Sequence, residues 1–268
     1  MSPFDAATAV TAVDVRHYTW DLPDGWQQGR GAWGGLATAA LLRAILAAEQ
    51  DVHRTVRSVT VQMMAPAVVG SHVIEVSPVR IGSAMSTWSA RATDGQGVAI
   101  AVMTAILGSP RTADENHVHA DWGMSAPPDV PAFADLPTVP AGPPFPVFVQ
   151  HLAVRPAFGL PMSGGPAETA GWVDYATPTP PTAVSLLALV DGWWPASFPR
   201  LSRMPRIATV SFTANLLVDP SSLAEGEPRL YHSFVSAAHE GFTSEVRRLW
   251  SADGRLIVDN LQTIVVGS

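Results

Sequence analysis

The sequence predicts an α+β fold made twice, each copy an antiparallel sheet wrapped around one central apolar helix. Three observations point there. Residues 92–109 (ATDGQGVAIAVMTAILGS) align without a gap on residues 251–268 (SADGRLIVDNLQTIVVGS), at an offset of 159. Each half carries one strongly apolar helical segment. A stretch dense in proline separates the halves.

The aligned ends are identical at Asp94/Asp253, Gly95/Gly254, Thr104/Thr263, Gly108/Gly267 and Ser109/Ser268, and most other pairs are apolar in both. Each reads as a strand, an Asp-Gly turn and a second strand. Upstream, VRSVTVQMMAP (56–66) resembles RIATVSFTANL (206–216), and both are rich in the β-branched residues that favour strands. Further upstream lie the helical segments, 34–50 and 182–198. The first contains LATAALLRAILAA, whose one charge is Arg43, so it is expected at the centre of its unit. The shared order makes duplication the better reading of the match. Between the halves, residues 126–146 read APPDVPAFADLPTVPAGPPFP. Proline removes amide donors and disfavours helix, so this is a linker or extended crossing segment. The expected units are residues 1–112, a linker at 113–146, and residues 147–268. A sheet wrapped around a central helix, twice in one chain, is the double hot-dog arrangement.

Composition narrows the function. Apolar residues make up 47% and charged residues 15%, which suits a large core and excludes disorder. A net charge of −7 without a long basic run argues against nucleic acid and anionic membranes as partners. The chain has no cysteine, which excludes a thiol nucleophile, disulfides and Cys-ligated metals. No uncharged apolar run nears the roughly 18–20 residues of a membrane span. The first ten residues lack the basic start of a secretory signal, so a cytoplasmic location is expected. Neither a G-x-S-x-G elbow nor a P-loop occurs. His117-Val118-His119 with Asp121 has metal-like spacing but too few ligands, so no metal or other cofactor is expected. Low charge and many apolar residues suggest a homodimer or higher homo-oligomer.

Asp191 is the most informative residue. It is the only ionisable side chain between Ala183 and Phe198. A carboxylate in such a stretch is costly to bury unless it has a task, and burial would raise its pKa toward that of a general base. At the end of its helix it would also sit at the unfavourable end of the helix dipole. Gln262 lies in the apolar strand LIVDNLQTIVV, where its first-half counterpart is Met103, and Asp259-Asn260 stand opposite Ile100-Ala101. Chemistry is therefore expected in the second half, facing the start of the first helix. Thr209 lies in the strand-like IATVSF. Gly34 and Gly35 permit close approach to helix-start amides, which suit an oxyanion as well as tight packing. Trp33, Trp193 and Trp194 suit either the walls of an apolar ligand tunnel or the core. Of Arg247 and Arg248, at most one faces any given site. A phosphate of a bound ligand is one partner for that arginine, and a solvated strand edge is the plainer expectation.

At these residues the chain resembles the acyl-CoA thioesterase II (TesB-like) double hot-dog family. Trp33-Gly34-Gly35 is similar to that family's aromatic-Gly-Gly opening of the first hot-dog helix. Leu189-Val190-Asp191 followed by Pro195 resembles its segment with the catalytic Asp, Ile207-Ala208-Thr209-Val210 its Thr or Ser strand, and Leu261-Gln262 its Gln strand. The resemblance implies hydrolysis of acyl-CoA to free acid and coenzyme A by a water that Asp191, Thr209 and Gln262 position. Where the family often carries an aromatic-His-Arg cluster, this chain reads Thr213-Ala214-Asn215-Leu216-Leu217, which leaves headgroup contacts open. The alternatives are a fold that binds acyl thioesters or lipids without turnover, and a hydratase or dehydratase, which would need a histidine beside Asp191.

Overall fold

A computed structural model describes residues 1–111 and 127–267. The first half contains α1 (Pro3–Ala7), β1 (Thr11–Ala12), β2 (His17–Leu22), the small hairpin β3 (Gln27–Gln28) and β4 (Gly31–Ala32), α2 (Gly34–Ala48), β5 (Thr55–Met63), β6 (Gly70–Ile81), β7 (Met85–Thr93) and β8 (Ala99–Gly108). The second contains β9 (Leu152–Phe158), β10 (Glu168–Tyr175), α3 (Ala183–Leu189), β11 (Ile207–Leu216), β12 (Arg229–His239), β13 (Phe242–Trp250) and β14 (Leu256–Val266). In each half four long strands follow the helix and two strands of the main sheet precede it.

All strands but β3 and β4 form one sheet of twelve, in the order β1-β2-β6-β7-β8-β5-β11-β14-β13-β12-β10-β9. Every ladder is antiparallel, and the halves meet where β5 pairs with β11. Thr60 stands opposite Thr213 near the middle of that junction, with 3.3 Å between their hydroxyls. Alternation sets which face looks inward. In β2, Tyr18, Trp20 and Leu22 are buried, and in β7 so are Trp88, Ala90 and Ala92. These faces close over α2, which is buried along nearly its whole length from Gly35 to Ile45. A helix apolar on all sides has to be covered on all sides.

Arg43, the charge within α2, has a local explanation. Its guanidinium donates to Asp5 Oδ1 at 2.5 Å and to Thr8 Oγ1 at 2.8 Å, both at the N-terminal α1. Ser2 caps α1 in a reciprocal box with Asp5. Phe4 of α1 packs against Trp26 and, from the other half, Tyr175. The proline-rich stretch runs along β9. Val139 N–H bonds the Val154 carbonyl, Trp172 Nε1 donates to Pro131 O, and Arg155 donates to Phe133 O at 2.7 Å. An edge that would expose unpaired backbone is thereby partly covered.

The second helix is shorter than expected. Helix was anticipated across 182–198, but α3 ends at Leu189 with Val190 as its cap. Gly192 and Pro195 resist continuation, and the chain turns at Asp191. Phe4, 1% exposed between the halves, anchors α1. Phe4→Ala should therefore cost about 3–5 kcal/mol of stability, read from the midpoint of denaturant unfolding.

Candidate active site

Asp191 follows the last turn of α3, yet its carboxylate faces the N-terminus of α2 in the other half. A Cβ on Gly34 would lie 2.9 Å from Asp191 Oδ2, so only glycine fits there. A Cβ on Gly35 would strike the Trp33 ring and the Ala188 carbonyl. The Gly35 amide donates to the carboxylate, and Trp33 Nε1 donates to the Asp191 backbone carbonyl at 2.9 Å. Asp191 does follow the C-terminal cap of its own short helix, the unfavourable end, and the positive end of α2 compensates by receiving its carboxylate.

The other two polar candidates join the same chain of bonds. Gln262 Nε2 donates to Asp191 Oδ1 at 2.9 Å and to Asn260 Oδ1 at 3.1 Å. Thr209 Oγ1 donates to Gln262 Oε1 at 3.1 Å. Asn260 Nδ2 in turn donates to the Thr213 carbonyl at 2.8 Å. With every polar atom of its amide engaged, Gln262 has one orientation. Thr209 reaches Gln262 because of a bulge. Phe212, Ala214 and Leu216 face the core on even positions, and strict alternation would turn Thr209 outward. The β11–β14 register shifts between Thr209 and Ser211, which brings Thr209 to the face of Gln262.

Arg247, for which the sequence suggested a phosphate or a solvated edge, and Glu245, for which it suggested nothing, complete the cluster. Arg247, 2% exposed, donates through Nη1 to Asp191 Oδ1 at 3.2 Å and through Nε to Glu245 Oε1 at 2.8 Å. Glu245 is fully buried, and its Oε2 accepts from the Ala196 amide at 2.8 Å. Arg247 is therefore neither a solvated edge residue nor free for a phosphate. Arg248 points to the opposite face and pairs with Asp259 at 3.0 Å. Burial pushes the Asp191 and Glu245 carboxyls above their usual range, while Arg247 and the hydrogen bonds oppose the rise. Arg247 is held more firmly protonated than usual by Tyr231, Glu245 and Asp191.

The aromatic candidates separate. Trp33 is fully buried and stacks on Trp26 and Phe148. Trp193 stacks on Tyr231, 4.7 Å between centroids, and bonds Thr169 Oγ1. Trp194 lies farther out, against Phe145, with its N–H on the Gly159 carbonyl. Among the described residues no histidine hydrogen-bonds Asp191, whose partners are Gln262, Arg247, Gly35 and Trp33. Among the described residues no cluster of His, Asp and Glu can hold a metal ion. His117, His119 and Asp121 lie outside the described residues. One motif escaped the sequence reading: Gly29-Arg30-Gly31-Ala32-Trp33-Gly34 spells G-x-G-x-x-G. Here Gly31 backs onto Pro66 and Gly34 onto Asp191, in an antiparallel setting that lacks the βαβ unit of a dinucleotide site.

The architecture defines a hot-dog protein. Structures of the same shape include a conserved protein of unknown function with a hot-dog fold from Alicyclobacillus acidocaldarius. It shares 26% identity over 100% of this chain and 99% of that one, with a TM-score of 0.89. A putative thioesterase II from Thermobifida fusca YX matches at 23% identity, 100% and 98% coverage and TM-score 0.84. The acyl-CoA thioesterase II TesB2 from Mycobacterium marinum matches at 16%, 98% and 97%, and 0.76. No curated protein matches. Residues 22–108 match the family model of the acyl-CoA thioesterase N-terminal domain, and residues 127–266 that of the C-terminal domain. The chain belongs to the acyl-CoA thioesterase family and is a thioester hydrolase. No helix of the described residues is long and apolar enough to cross a membrane.

Arg247 is the counter-charge for two buried carboxylates, and removing it has a defined cost. Arg247→Leu leaves Asp191 and Glu245 buried without it and should lose about 3–5 kcal/mol at neutral pH. Both folded-state pKa values then rise further above their unfolded values. The folded state holds the extra protons, so stability falls as pH rises between the unfolded and folded pKa values. Denaturant midpoints for the variant should therefore recover on acidification from pH 7 to pH 5, relative to the wild type.

Proposed function

We propose that the protein hydrolyses acyl-CoA to free acid and coenzyme A, with Asp191 as general base. The observation that carries this reading is the buried chain of bonds from Thr209 through Gln262 to Asp191. In the first half the positions of Gln262 and Asn260 are held by buried Met103 and Ala101, so that half has no equivalent chain.

Asp191 takes a proton from a water as the water oxygen attacks the thioester carbonyl carbon. Gln262 and Thr209 fix the carboxylate and the water in the attacking geometry. The tetrahedral intermediate collapses with cleavage of the C–S bond, and the coenzyme A sulfur leaves and is protonated. In this reading the N-terminus of α2 at Gly34 and Gly35, whose Gly35 amide already bonds Asp191, lends its positive end to the developing negative charge as well. Trp194, the one of the three tryptophans not fully packed away, walls the acyl group, and buried Trp33 and Trp193 back the site. Cytoplasmic residence and assembly as a homodimer or larger homo-oligomer belong to the same proposal, and light scattering on the purified protein reads the assembly.

Thiol release across short, medium, long and aromatic acyl-CoAs tests the site. Asp191→Asn should lower kcat/KM by about 10²–10⁴-fold, the range of general-base catalysis. Thr209→Val, which removes one hydrogen bond, should cost about tenfold. Activity depends on ionised Asp191, whose pKa is raised by burial. The acid limb of the kcat/KM profile should accordingly fall above the ordinary aspartate range. Full activity in Asp191→Asn would keep the hydrolase and remove this site, whereas binding without turnover by the wild type would favour a non-catalytic acyl-thioester protein.

A further inference from the structure

The chain between Asp191 and Thr209 meets the site at both ends. It leaves the carboxylate at Gly192 and returns as β11, which carries Thr209. Its inner side is apolar and fixed: Trp193, Ala196 and Phe198 are buried, and the Ala196 amide holds Glu245. Its outer side carries Arg200, Arg203 and Arg206, all exposed. The Arg206 backbone is tied to β14's end, its carbonyl accepting from Gly267 N–H at 2.7 Å. Arg206 is three residues from Thr209, at most about 10 Å along the chain.

Like Arg16, Arg30, Arg80 and Arg91, these three arginines lack the side-chain partners that Arg43, Arg54, Arg155, Arg229 and Arg247 have, and they are the ones that lie on the segment joining Asp191 to Thr209. None makes a side-chain hydrogen bond, ion pair or ring contact among the described residues. No aspartate or glutamate occurs from residue 192 to residue 218. A group of like charges without counter-charges repels itself, and it stands beside the site of a protein whose net charge is −7. All 16 basic residues of the chain are arginine, the side chain whose planar fork suits phosphate. Arg247, which the sequence offered for that purpose, is buried and committed to Asp191 and Glu245. Coenzyme A carries its phosphates at the far end of the pantetheine arm, away from the thioester. Their partners belong on the rim of the site rather than beside the carboxylate.

We propose that Arg200, Arg203 and Arg206 form the subsite for the phosphate groups of the coenzyme A carrier. The inference rests on the hydrolase reading of the Asp191 site. The loop recognises the carrier and leaves the reacting atoms to the buried cluster, so it acts on substrate capture rather than on the chemical step.

The test compares wild type with Arg203→Glu/Arg206→Glu on three thioesters of the acyl group that the wild type turns over fastest: the coenzyme A, 3′-dephospho-coenzyme A and pantetheine thioesters. The variant should raise KM for the coenzyme A thioester about tenfold, with kcat within about twofold. The rise should be smaller for the dephospho form. The pantetheine thioester, which has no phosphate, should be hydrolysed alike by both proteins. Added salt should raise the wild-type KM for the coenzyme A thioester and leave that of the variant nearly flat. An unchanged KM for acyl-CoA would overturn the subsite. So would an equal loss on the pantetheine thioester, which would mean damage to the site itself. With the thioester of an acyl carrier protein assayed as a fourth substrate, a loss confined to it would overturn the subsite in favour of a protein carrier. Failure of the Asp191 reading shows separately, as an active Asp191→Asn.

Discussion

The structure turns on one buried carboxylate that neither half can hold alone. Asp191 comes from the second half, but the Gly35 amide and the Trp33 indole that bracket it come from the first. Taking a charge out of water costs several kcal/mol even after relaxation. Here the compensation is assembled from both halves: a helix N-terminus on one side, Gln262 and Arg247 on the other. The β5–β11 ladder keeps these two sets in register. A Cβ at Gly34 would intrude on the carboxylate, so the closeness of the halves is set to within a methyl group.

Duplication explains how a polar cluster entered a hot-dog core. In the first half Ala90 pairs with Met103 and Ala92 with Ala101. At the matching places in the second half Glu245 pairs with Gln262 and Arg247 with Asn260. Four buried apolar side chains of one copy thus correspond to four buried polar ones in the other. The apolar copy keeps a long central helix of 15 residues and supplies packing and a helix end. The polar copy has a helix of seven residues, cut short where Asp191 must turn toward its neighbour. Specialisation of one copy left the other free to remain a scaffold.

The architecture was legible because it is periodic. Two apolar helices, alternating strands and a repeated strand-turn-strand end are patterns that burial alone enforces. Asp191, Gln262 and Thr209 were legible for a different reason: the first two are polar interruptions of apolar runs, and the third came with the family resemblance. Arg247 and Glu245 were not. The gap-free alignment sets Arg247 opposite Trp88, whereas the ladders set it opposite the position of Ala92, because the second hairpin is longer between matching rungs. Sequence also treats Arg247-Arg248 as a pair, when only the three-dimensional surroundings tell which of two adjacent arginines is inside. The bulge at Val210 was hidden as well, since a single unpaired residue leaves no mark in a β-rich run.

Two kinds of counter-charge follow from this arrangement, and they are kept apart. Inside, Arg247 lies between Asp191 and Glu245, and its two ion pairs at 3.2 and 2.8 Å leave it little freedom to meet a substrate. With both carboxylates ionised the buried triad is one charge negative, which suits a base and repels an anionic carrier. Outside, the acidic surface adds to that repulsion. Under the proposed reading a polyanionic thioester needs cations near the site that are not already neutralised. The segment that joins Asp191 to Thr209 has three arginines and no acid, and its buried side is pinned to Glu245. The same short stretch of chain thus steadies the interior charges with its backbone and presents unpaired charge to solvent with its side chains, so that, in the proposed reading, the chemistry and the capture of the carrier vary independently along one loop.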